Sequence, residues 1–93
     1  MNIEMSVDDE LDQIFFTING LIDANDFERI NNIFDNIQIS DMDETVITCY
    51  LAASHLFKDK ISSYTDFYNR CKKHFTDSLG PEETFEVLHG FEP

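Results

Sequence analysis

Apolar residues recur at helical spacing through most of this chain, broken by short polar stretches rich in Asp, Asn, Ser and Gly. Val7, Leu11, Ile14, Phe15, Ile18 and Ile22 fall on one face of a first helix. Ser6 stands as its N-cap, with Asp9 three residues on in a variant of the capping box. Asp23 to Asp26 then reads as a tight turn. Asn25 suits the left-handed conformation that ends a helix, and Asp26 suits the cap of the next. Phe27, Ile30, Ile33, Phe34 and Ile37 mark a second stripe, and so short a turn predicts an antiparallel hairpin.

Residues 39–44 interrupt the pattern, with Asp41 to Glu44 fitting a capping signal. Thr45 to Phe57 carries no charged residue, which predicts a buried central helix. The β-branched run Thr45 to Thr48 raises a strand as the competing local reading. Length and the following Leu51 to Phe57 favour helix. After a link at 58–63, with Ser63 as cap, Tyr64, Phe67, Tyr68, Cys71 and Phe75 define a fourth helix whose outer face bears Arg70, Lys72 and Lys73. Gly80 and Pro81 open a short fifth helix, anchored by Phe85 and Leu88 and stopped at Gly90.

The predicted fold is therefore all-α: one domain over residues 1–93, a small antiparallel bundle of four main helices plus a short C-terminal one. Residues 1–5 and 91–93 are expected as flexible tails. Two successive hairpins are conceivable from the order of segments, yet Asp26-Phe27 and Asp66-Phe67 are followed by different spacings, and no repeat family is indicated. A chain of 93 residues sustains one core, to which nine Phe and three Tyr contribute.

Charge is the strongest compositional signal. The net is −13 at pH 7. Residues 1–57 hold twelve carboxylates against Arg29 alone, whereas residues 58–75 hold Lys58, Lys60, Arg70, Lys72 and Lys73 against two acids. Residues 76–93 return to five acids and no base. Such a balance opposes direct nucleic-acid binding. No apolar run reaches the length of a membrane span and no signal-peptide pattern opens the chain, so a cytoplasmic location without membrane contact is expected. The excess of Ile, Asn, Asp and Phe over Ala favours AT-rich codons, pointing to a phage or AT-rich bacterial source.

Catalytic and metal-binding patterns are weak. Asp41, Asp43 and Glu44 resemble the start of a calcium loop but lack its glycine and its closing glutamate. His55, His74 and His89 fall on separate elements without ligand spacing, and Cys49 and Cys71 read as buried reduced thiols. Neither a nucleophile elbow, a phosphate loop nor a zincin motif is present. No enzyme activity, cofactor or metal is expected.

The leading reading is a small non-enzymatic interaction module, an adaptor or inhibitor, that binds a protein partner. Its acidic face would comprise Asp8, Asp9, Asp12, Asp23, Asp26, Glu28 and Asp35. A basic patch of Arg70, Lys72 and Lys73 and exposed apolar residues Phe16 and Phe91, with Ile39 in a loop, are further candidates. The first alternative is a nucleic-acid mimic that occupies a basic nucleic-acid-binding protein. The second is a self-assembling homo-oligomer joined head to tail by the charge asymmetry.

Overall fold

The computed structural model describes residues 7–93. The cap expected at Ser6 and the 1–5 tail lie outside the described residues, as does the side chain of Asp8. Five α-helices follow in order: α1 (Val7–Asp23), α2 (Phe27–Asn36), α3 (Glu44–Ser54), α4 (Tyr64–Leu79) and α5 (Pro81–Leu88). 3₁₀ segments at Ile39–Asp41 and His55–Lys60 flank α3, and there is no strand among the described residues. The all-α bundle is thus as expected, including at Thr45 to Thr48, which is helical.

Local chemistry sets the turns. Asn25 adopts φ 56°, the left-handed conformation that closes α1. Asp26 then caps α2, its carboxylate accepting from the Arg29 amide at 3.2 Å. Gly80 at φ 85° ends α4, and Pro81 starts α5 where a missing N–H costs nothing. Other caps depart from expectation. Ser63 does not cap α4 with its side chain; its amide and hydroxyl both donate to Asn31 Oδ1, at 3.0 and 2.7 Å, and tie the start of α4 to α2.

The core is aromatic at its centre. Phe34 and Phe67 stack with centroids 4.6 Å apart, and Tyr50 meets Phe34 edge-on at 6.2 Å. Ile18, Ile30, Ile47, Leu51, Ile61, Tyr64 and Phe75 are buried around them. Burying a Phe or Leu in full contributes about 1.5–3 kcal/mol, so this cluster dominates stability. Both thiols are free and buried, with Cys71 pushed up to about 12 by desolvation. Ile39, placed in a loop and counted among exposed apolar candidates, is buried because its 3₁₀ turn folds inward against α4.

α1 packs most extensively on α3 and less on α2, while α4 packs chiefly on α5. The body measures 40 × 36 × 21 Å, about two helix diameters thick. At that thickness every helix keeps an outer face. Among the described residues no helix is long and apolar enough to cross a membrane.

Candidate functional site

α3 is the element whose outer face matters most. A helix without charge was expected to be buried all round, but the structure corrects this. Val46, Ile47, Cys49, Leu51, Ala53 and Ser54 face inward, whereas Thr45 and Ala52 are exposed and Thr48 is half-buried. Thr45, Thr48 and Ala52 share one side of the helix by their spacing of three and four. The helix also ends earlier than expected. Phe57 leaves the helical conformation (φ −113°, ψ 18°), and the 3₁₀ segment carries Leu56 out to solvent at 87% exposure.

Thr45, Thr48 and Ala52 form the floor of a trough of about 400 Å³. Leu11 and Phe15 of α1 make one wall, Val87 and Phe91 the other, and Glu44 stands at one end. Asp12 is close enough to Cys49, which also lines the trough, for its charge to add to burial in raising that thiol. Phe15 was expected in the core; it is 38% exposed because its ring borders the open trough.

Phe91 was expected as a free apolar contact on a flexible tail. Instead the 91–93 segment folds back on the bundle. Tyr64 Oη donates to the Phe91 carbonyl at 2.6 Å, and Lys58 Nζ donates to the Glu92 carbonyl at 3.1 Å. His55 Nε2 sits 3.3 Å from that same carbonyl, and its ring meets Phe91 edge-on. Phe91 is half-buried by these contacts and serves as a wall. The Glu92 carboxylate is held below its ordinary range by its own amide and that of Gly90, then by His89 and His55.

The acidic residues divide. Asp9, Asp12 and Asp23 are exposed on α1, as is Phe16 at 81%, which follows Asp12 by one turn. Glu28 and Asp35 are exposed on α2, seven residues apart. Asp26 is engaged in its cap and in a 3.6 Å ion pair with Arg29. Of the described α1 acids, Asp12 comes near the trough, one turn from both Phe15 and Phe16 and close enough to Cys49 to act on it.

The basic patch does not form as expected. Arg70 turns away from Lys72 and Lys73 toward the end of α2. Its guanidinium donates to the carbonyls of Phe34 at 2.6 Å and Ile37 at 3.3 Å, satisfying α2's last-turn acceptors. It lies over the Phe67 ring and pairs with Asp66 at 3.3 Å. Lys60 sits over Phe27, and Lys58 is on the tail. Lys72 and Lys73 remain exposed. Lys72 borders a second groove between α4 and α5; of the two expected anchors there Leu88 is buried, with Thr84 beside it in the core, whereas Phe85 is 64% exposed.

His55 and His89 both approach Glu92, and among the described residues no group of three His, Cys, Asp or Glu side chains is placed to hold a metal ion. Leu56, Phe85 and the α3 floor are the surface features sequence reasoning missed. Only the small residues at Thr45, Thr48 and Ala52 offered a signal for the floor. No protein-family model, curated protein or solved structure matches the chain.

Proposed function

We propose that the chain is a non-enzymatic, cytoplasmic interaction module that holds a cationic protein partner in the trough between α1, α3 and the C-terminal segment. One observation carries this reading: the trough brings apolar side chains, open to solvent, together with the carboxylate of Glu44 in its lining and that of Asp12 close to Cys49. Apolar surface supplies affinity, and the surrounding acid selects a partner of opposite charge. The net charge of −13 reinforces that selection.

The alternatives fare unequally. Self-assembly draws less support, since Arg70, Lys58 and Lys60 are engaged within the monomer and Lys72 and Lys73 alone remain of the patch. A nucleic-acid mimic is a narrower form of the proposed function, in which the partner's basic surface normally holds phosphates.

Photo-crosslinking tests the reading. A benzophenone amino acid at position 52 should capture a defined basic protein in source cells, and the same group at position 69, on exposed α4 surface, should not. The Phe15→Ser variant should abolish the capture. No crosslink from position 52, or an equal one from position 69, overturns the proposal. Displacement of the captured protein by duplex DNA at low salt would identify the narrower mimic form.

A further inference from the structure

We infer that the trough takes an amphipathic α-helix with basic flanks, contributed by the partner. The inference rests on the proposed function and specifies its ligand. Backbone chemistry is the first argument. An extended segment gains affinity by hydrogen bonding to an exposed strand edge, and none exists among the described residues. Pressed against Leu11, Phe15, Val87 and Phe91, such a segment would leave its own amides and carbonyls without partners beside apolar walls. A helix satisfies those groups internally and brings only side chains to the surface.

Shape is the second argument. The floor consists of Thr45, Thr48 and Ala52, short side chains that let another helix axis approach closely. From Thr45 to Ala52 is seven residues, about two helical turns or 10 Å. Two or three apolar anchors at i, i+3 or i+4, and i+7 fit that length.

Charge is the third. Glu44 lines the trough, and Asp12 is near enough to Cys49 to act on it. Asp12 is exposed on α1, one turn before Phe15. Lys or Arg residues flanking the occupant's apolar stripe would meet these acids, while an acidic helix would be repelled by them.

The test uses synthetic peptides of fourteen residues with the full chain. One places Leu at helical spacing between Lys residues. A second has the same composition scrambled to remove the apolar stripe, and a third replaces Lys by Glu. Binding is read by fluorescence anisotropy at low and moderate salt. Occupancy is read independently by alkylation of Cys49, which lines the trough, with the more deeply buried Cys71 as internal reference. The Leu/Lys helix should bind and slow Cys49 alkylation, the scrambled peptide should bind at least tenfold more weakly, and the Glu peptide should not bind. Ala52→Trp, which fills the floor, and Phe15→Ser, which removes a wall, should each weaken the first peptide about tenfold.

Equal binding and equal Cys49 protection by the scrambled peptide would overturn the helical occupant and leave the trough standing as the binding face. No binding at low salt would overturn the inference while leaving the crosslinking test of the proposed function in force. Binding without Cys49 protection, indifferent to both substitutions, would show that the peptides sit elsewhere and overturn it as well.

Discussion

Replacing Arg70 by alanine should cost the fold about 2–3 kcal/mol, a value built from its individual contacts. A hydrogen bond from a charged donor contributes about 1.5–3 kcal/mol net. The 2.6 Å bond to Phe34 O earns a full share, discounted toward the lower end because the side chain is 35% exposed. The 3.3 Å bond to Ile37 O is longer and contributes less. The guanidinium over Phe67 adds about 0.5–1 kcal/mol. Asp66, 72% exposed, adds about 0.5 kcal/mol or less. For a domain of this size each kcal/mol moves Tm by about 4–8 °C, so thermal melts should fall by roughly 8–24 °C. Urea unfolding followed by far-UV circular dichroism measures the loss directly. Arg70→Lys should recover less than half, because one ammonium lacks the planar fork that meets two carbonyls and an aromatic face. An Arg70→Ala variant within about 0.5 kcal/mol of the parent would refute the reasoning. So would an Asp66→Ala variant as costly as Arg70→Ala, since the exposed ion pair would then be the source.

Three further outcomes follow from other contacts. Asn31→Ala should cost about 1–3 kcal/mol in urea unfolding, because the Ser63 amide and hydroxyl lose their shared acceptor. Gly80→Ala should cost about 1–2 kcal/mol in the same assay, despite open space around the added methyl, because φ 85° is left-handed backbone. Stability should be fully present below pH 9 and fall as pH rises above it. The unfolded chain ionises its cysteines near 9.0 and tyrosines near 10.0, while buried Cys71 stays neutral to about 12 and Tyr64 is likewise raised by burial. The unfolded state then binds fewer protons than the folded state, so alkali favours unfolding. Melts at pH 7.5 and 10.5 should differ less in Cys71→Ala than in the parent.

Where one helix stops and the next begins was legible because the deciding chemistry is local. Asn25, Asp26, Gly80 and Pro81 each act on their own backbone, and all four behave as their residue types imply. Side-chain destinations were less legible. Phe15 and Phe85 keep the spacing of buried residues, yet in a body two helices thick no further element among the described residues covers them. Arg70 has the same residue type and helix face as a solvent-exposed base, and only the arrival of α2's last turn beside α4 gives it carbonyls to meet. The trough was hidden for a related reason. The uncharged run Thr45 to Phe57 reads as buried on all sides, and which side stays open depends on where α1 and the C-terminal segment lie.

The engagement of Arg70 and Lys58 by backbone carbonyls has a kinetic consequence. Exposed acids on α1 and α2 present a field of nearly one sign to an approaching molecule. Such a field guides oppositely charged partners during diffusion and can raise association rate constants toward 10⁸ M⁻¹s⁻¹ at low salt. The apolar walls act only after contact, and so govern how long an encounter lasts. Arrival and residence are thereby assigned to different surfaces of the same small bundle. Added salt should slow the first and scarcely change the second.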